Sequence, residues 1–262
     1  MTHVRHPAVA GMFYPDDANA LRAMIREYLD GAAAAGPPPK ALIAPHAGYV
    51  YSGTVAASAY ARVAPLRGTV RRVVLLGPAH RVPLRGLAAS GADQFLTPLG
   101  PVNLDRQAID ALLALPQVRI SDEAHELEHS LEVHLPFLQE VLGGFELIPL
   151  VVGDASHQEV DEVLETLWGG PETLIVISSD LSHYHDYDTA RAMDRRTSQA
   201  IEALRTEDIS YDQACGRSPV SGLLVAARRH GLHARTVDLR NSGDTAGPRD
   251  QVVGYGAYVF EH

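Results

Sequence analysis

At 262 residues the chain is long enough for one large α/β domain, although length alone would permit two. Hydrophobic residues make up 46% of it, enough for a sizeable core, and a net charge of −10 argues against a general nucleic-acid binder, which presents a basic face, while leaving room for a local basic pocket. The one cysteine, Cys215, excludes an intrachain disulfide framework and suits a reducing cytosol.

The opening stretch, 1–17, has no apolar h-region and does not read as a secretory signal, so a cytoplasmic location is expected. Residues 16–36 read as an early helix, with Asp near its start and Gly after its end. "GPPPK" (36–40) cannot continue it. The stretch 41–61 contains no Lys, Arg, Asp or Glu and is long enough to span a bilayer. Its Pro45, His46, Gly48 and Gly53 argue otherwise, and it reads as a buried strand (41–45), a Gly-rich loop and a small-residue helix (54–64). A second strand covers 70–78 and a third 86–91. The segment 103–116 reads as a helix capped by Asn103. In 130–143, Pro136 implies a helix that starts near His134 or kinks there. Then follow a strand (145–153), a helix (157–170), a strand (172–180), two amphipathic helices (189–205 and 219–231) and two closing strands (234–242 and 252–261). Alternating helices and short continuous apolar strands indicate a mostly parallel or mixed central sheet with helices on both faces. One domain over 1–262 is expected.

In open α/β sheets, ligands bind at the carboxyl ends of the strands. Three predicted strands deliver His46, His80 and Asp180, with His183 and His185 just beyond, to that edge. A single histidine after a strand is commonly a loop or cap residue; three coincident cases point to a site. Two His with one anionic ligand and open positions is the usual arrangement of non-heme Fe(II) oxygen chemistry. "HELEH" (125–129) also satisfies the zinc-protease pattern H-E-x-x-H. Its flanks are rich in carboxylates and lack the apolar periodicity of a buried active-site helix, so it reads as an acidic loop leading into a helix. His129, Glu132 and His134 are candidates to line a pocket from there. Ser, His and Asp lie near one another in "GYVYSG" and "ISSDLSHY", but neither is a G-x-S-x-G elbow, which disfavours a hydrolase. "NSGDT" (241–245) reads as a structural turn. On its own, Cys215 reads as a buried structural thiol. Gly216 and Arg217 are compatible with a loop that sets positive charge beside the thiol and favours thiolate.

Six motifs occur in order: "PAVAGMFYP", "APHAGYVYSG", "LLGPAH", "EHSLEVHLPFLQ", "SSDLSHY" and "ACGRSPV". Together they resemble the Memo family, the B component of the AmmeMemoRadiSam gene system, from about Pro7 to the C-terminal strand. The resemblance implies a fold similar to that of class III extradiol dioxygenases. It implies metal ligands His46, His80 and Cys215, with His183 as the acid/base candidate or an extra ligand and Asp180 beside the metal, orienting His183 or His80. Fe(II) is the expected cofactor, with Cu or Zn as alternatives, since a thiolate is softer than a carboxylate. A thiolate is also oxidisable, so the resemblance carries the metal site further than ring cleavage. The implied function is a metal-dependent, dioxygenase-like oxidoreductase on an aromatic or related small molecule. A non-enzymatic metal carrier, or a peptide-binding adaptor, is the alternative. The gene system implies a radical SAM protein and an AMMECR-type protein as partners; no membrane and no nucleic acid is expected. Tyr49 and Tyr51 are candidates either to wall the pocket or simply to pack.

Overall fold

A computed structural model describes residues 2–33 and 35–262; Met1 and Ala34, the latter inside the Ala and Pro run, lie outside the described residues. In chain order the strands are β1 (Val4–Arg5), β2 (Ala41–Ala44), β3 (Arg72–Pro78), β4 (Leu87–Ala89), β5 (Gln94–Thr97), β6 (Gly100–Leu104), β7 (Val118–Ile120), β8 (Glu146–Val152), β9 (Thr173–Ser178), β10 (His183–His185), β11 (His233–Asn241) and β12 (Val252–Glu261). The helices are α1 (Ala18–Asp30), α2 (Tyr49–Tyr60), α3 (Arg106–Leu112), α4 (Asp122–Glu126), α5 (Leu135–Leu142), α6 (His157–Leu167), α7 (Tyr187–Glu202) and α8 (Arg217–Arg229).

The continuous apolar runs form the middle of one mixed sheet, in the order β1-β5-β6-β8-β3-β9-β2-β12-β10, with β11 on β12 and β4 on β8. The central strands β8, β3, β9 and β2 are parallel, with Val74 opposite both Ile148 and Ile175. Strands buried on both faces need no polar alternation, which is why "LIVIS" and "VVLL" read as unbroken runs. β12 closes antiparallel against β2 and β11, making the sheet mixed. Helices cover both faces: α2 lies on β2 and β12 and packs with α1 and α5, while α8 lies on β3 and β9 and packs with α6. Because β2, β3 and β9 run the same way, the residues that follow each of them emerge at one edge.

Two local expectations are corrected. Helix α2 begins at Tyr49, inside the expected Gly-rich loop; the Tyr28 ring lies where a side chain at Gly53 would project, so a tertiary contact holds a glycine within a helix. Asn103 belongs to β6, and Asp105 caps α3 instead, its carboxylate accepting from the Ala108 amide. Of the two alternatives for Pro136, the start near His134 holds: helix α5 begins at Leu135 with His134 as its N-cap, after a 3-10 turn over Glu132–His134, so Pro136 sits in the first turn and no kink forms. The turn at Ser242–Asp244 is structural as expected, with an Asn241–Asp244 capping box. No helix among the described residues is long and apolar enough to cross a membrane.

Candidate metal centre

The loops after β2, β3 and β9 bring His46, His80 and Asp180 to one place, and the turn before α8 adds Cys215. One donor atom each from His46, His80 and Cys215 lies within 4.8 Å of the others. His46 Nε2 is 3.5 Å from Cys215 Sγ and 3.8 Å from an Asp180 oxygen. The His46 and His80 rings stand edge to face at 5.1 Å. His46 is buried, whereas the His80 side chain is 29% exposed, so the cluster opens to solvent on the His80 side.

The hydrogen bonds fix which nitrogen of each ring is free. Ser178 Oγ donates its one proton to the Ser130 carbonyl at 2.6 Å. It therefore accepts at its 2.7 Å contact with His46 Nδ1, which must carry the proton. His80 Nδ1 lies 2.9 Å from a Glu128 oxygen. An ionised carboxylate only accepts, so His80 Nδ1 is also the protonated nitrogen. Both rings thus offer a bare Nε2 lone pair. Metal-ligating histidines are ordinarily held in this way by a carboxylate, carbonyl or hydroxyl on the other nitrogen. Two oriented lone pairs and a thiol, converging with no N–H donor between them, fit a cation.

Electrostatics support the same state. Burial, then the neighbouring His80 and His129, holds the His46 imidazole well below its ordinary value, so it is neutral. Burial alone would raise Glu128, but the contacts from His80 outweigh it and bring the carboxyl down to about 2. Burial, and then Asp180, pushes the Cys215 thiol up to about 12. Arg217 does not offset this. Its Nε donates to the Ile209 carbonyl at 2.8 Å and its guanidinium lies over the Tyr211 ring at 4.6 Å, so the expected positive charge beside the thiol is absent. The thiol on its own is therefore held protonated at neutral pH, and a thiolate there would need a cation to draw the proton off.

Asp180 is raised by burial, while the His46 amide and neighbouring histidines pull the other way. Its Oδ1 accepts from the His46 amide at 2.8 Å. The carboxylate thus braces the His46 turn; His80 is oriented by Glu128, and the His183 Nδ1 donates to the Leu181 carbonyl at 2.8 Å. His183 starts β10, half-buried, and is not among the three donors that converge.

The zinc-protease pattern is not realised. Helix α4 ends at Glu126, and His125 is buried with Nε2 on the Ala88 carbonyl at 2.9 Å, its ring against Phe95. His129 does reach the site: its ring stacks on His80 at 4.8 Å and faces His46 at 5.5 Å. Glu128, His80 and His129 form a second convergent set within 4.8 Å, sharing His80. Glu132 and His134 do not line the pocket. Glu132 is buried against Arg5, the Ala8 and Val9 amides and the Tyr14 hydroxyl, and His134 Nδ1 bonds the Tyr60 hydroxyl at 2.7 Å in the core. Tyr49 packs on Phe137 with its hydroxyl on the Val133 carbonyl, while Tyr51 is exposed. Sequence reasoning missed Glu128, Ser178 and Ser130. Their motifs gave a signal: "EHS" and "SSD" each carry a polar residue beside a suspected ligand or site.

An α/β sheet with a two-histidine, one-thiol donor cluster at its carboxyl edge defines a candidate metal protein. The chain belongs to the Memo-like family, whose model matches residues 5–259. A "MEMO1 family protein" of Aquifex aeolicus (strain VF5) is 36% identical, over 98% of this chain and 99% of that protein. "MEMO1 family protein MK0963" of Methanopyrus kandleri is also 36% identical, over 98% of each chain. The solved structure of an uncharacterized protein from Escherichia coli K12 aligns with a TM-score of 0.53 at 14% identity, over 84% of this chain and 98% of that one, a likeness of fold alone.

Proposed function

We propose that the chain binds one divalent metal ion, Fe(II) foremost with Cu or Zn as alternatives, through His46 Nε2, His80 Nε2 and Cys215 Sγ. On this reading it is an oxidoreductase acting on an aromatic or related small molecule. The observation that carries the reading is the convergence of three donors within 4.8 Å, with both imidazoles locked in the Nε2 lone-pair form. When bound, a ferrous ion supplies redox chemistry with dioxygen and polarises a substrate oxygen. The chain's own part is to hold and exclude. Ser178 and Glu128 orient the two rings, Asp180 fixes the His46 turn, and Phe13, tilted against His129 at 4.9 Å, walls the site with an aromatic surface. His183, whose Nδ1 donates to the Leu181 carbonyl, would have its Nε2 available to accept a proton from a substrate hydroxyl.

A second reading, a metal carrier, draws on the partial exposure of His80, which makes a bound ion reachable by a partner. Anaerobic purification followed by mass-spectrometric metal analysis, beside a His46→Ala control, tests both. About one iron per chain, lost in the control, supports the first and justifies an oxygen-uptake screen with catechols. Copper or zinc that exchanges freely supports the second. Absence of any metal after reconstitution overturns the donor assignment.

A further inference from the structure

A separate polar cleft of about 430 Å³ lies where the first turns of α6 and α8 come side by side. We infer that it is an oxyanion site that takes the phosphate group of a small phosphomonoester. Most of its donors are unspent. Among the described residues, neither the exposed Arg85 guanidinium nor the His157 imidazole has a hydrogen-bond or ion-pair partner. Arg217, fixed by its Nε bond to Ile209 and by the Tyr211 ring, keeps its two outer nitrogens free, the fork that matches a phosphate. Gly216 ahead of α8 offers no capping side chain, which leaves the first-turn amide of Ser218 directed out of the helix end, where the dipole favours an anion.

Ser221 is the independent sign that a ligand is intended. It is 4% exposed and lines the cleft, and its hydroxyl, open to solvent there, has no hydrogen-bond partner among the described residues. A hydroxyl set in this way can donate to an oxyanion in the cleft. Two carboxylates share the cleft and do not reverse its sign. Glu159 is consumed by the α6 capping box, accepting from the Ser156 amide and hydroxyl at 2.8 Å each, and Asp154 is exposed at the rim. A cation would meet two guanidinium groups there. The volume falls within the roughly 300–1,000 Å³ of small-molecule sites, which leaves room for the organic part of an ester.

The test is calorimetric titration of the full chain, dialysed against chelator, first with inorganic phosphate and then with phenyl phosphate. Wild type is compared with Ser221→Ala and with Arg85→Ala, an exposed substitution that leaves folding intact, and circular dichroism checks both. Saturable phosphate binding, weakened about tenfold in each variant by loss of a charge-assisted hydrogen bond, supports the site. Tighter binding of phenyl phosphate than of phosphate identifies an ester as the ligand class, and the reverse order identifies free phosphate in the same site. No saturable binding to wild type, or equal affinity in wild type and both variants, overturns the inference.

Discussion

Glu128→Ala removes the acceptor that orients His80 without touching a proposed donor atom. The Glu128 carboxylate receives the His80 amide at 2.6 Å, the His80 Nδ1–H at 2.9 Å and the Ser130 amide at 2.9 Å. Its carboxyl sits at about 2 against an ordinary value of 4.5, and each unit corresponds to about 1.4 kcal/mol. The depressed carboxyl therefore contributes on the order of 3 kcal/mol, present above the unfolded value and lost as pH falls from about 4.5 towards 2. For a chain of this size that loss lowers the melting temperature by about 10 °C at neutral pH. The effect on metal is separate. Without the carboxylate the His80 ring is free to rotate and to change tautomer, which costs about 10- to 100-fold in affinity. Glu128→Gln retains an oxygen for Nδ1 and loses about tenfold at most. Anaerobic competition against a chromophoric chelator, with cobalt as a spectroscopic stand-in, measures the affinity, and thermal melts measure the stability. If Glu128→Ala bound metal as tightly as wild type while Cys215→Ser did not, the orienting role of Glu128 would be wrong.

Three further outcomes are expected. Cys215→Ser keeps the fold but weakens metal binding strongly. Because the wild-type thiol near 12 must release a proton on metallation, wild-type affinity rises about tenfold per pH unit through neutral pH, whereas the serine variant shows a flatter profile in the same chelator assay. His125 and His134, lowered by burial to about 4 and about 3, refuse protons that the unfolded chain accepts below about 6.5. Urea-unfolding stability therefore falls as pH drops from 6.5 to 4 by about 1.4 kcal/mol per unit for each ring, and His125→Gln, which keeps a donor for the Ala88 carbonyl, should remove one proton from that slope. Glu132→Gln breaks the buried pair with Arg5 and loosens the Ala8, Val9 and Tyr14 contacts. It should cost about 3 kcal/mol and expose residues 8–14 to limited proteolysis, and unchanged melting and cleavage would show that this carboxylate does not anchor the segment.

The parts of the molecule that were readable in the sequence are those governed by short-range physics. The buried parallel strands announce themselves as charge-free runs, and the rule that ligands gather at strand carboxyl ends then puts His46, His80 and Asp180 together. The edge elements β1, β5, β6, β7 and β10 were not readable, because strands of two to five residues owe their pairing to neighbours distant in sequence, as Val4 does to Gln94. The same distance hid the site's supports. Ser178 joins His46 to the Ser130 carbonyl across three separate segments, and Glu128 reaches His80 across 48 residues. Cys215 read as a buried thiol, and it is largely buried; what local reasoning lacked was the His46 ring at 3.5 Å. Arg217 misled for the opposite reason, since adjacency in the chain suggested a charge beside the thiol and the side chain leaves in another direction.

The charge of the cluster also bears on which ion it suits. Burial raises both Cys215 and Asp180 towards their neutral forms, so any uncompensated charge among these side chains is costly. The ionised Glu128 behind His80 adds one further negative charge in every case. Counted over the ion, the ionised Cys215 and Asp180 and the two neutral imidazoles alone, two negative charges face the ion and a divalent ion leaves that set neutral. A monovalent copper ion would leave one negative charge in excess, and a trivalent iron one positive charge. Asp180→Asn tests this arithmetic while sparing the scaffold, because the asparagine oxygen can still accept from the His46 amide as Oδ1 does at 2.8 Å. The variant should bind Zn(II) and Fe(II) about tenfold more weakly, one charge's worth at a partly screened distance, and should bind Cu(I) at least as well as wild type. The ratio of divalent to cuprous affinity is the quantity to measure. An unchanged ratio would mean that Asp180 stays protonated beside the bound ion, and that the thiolate alone sets the preference.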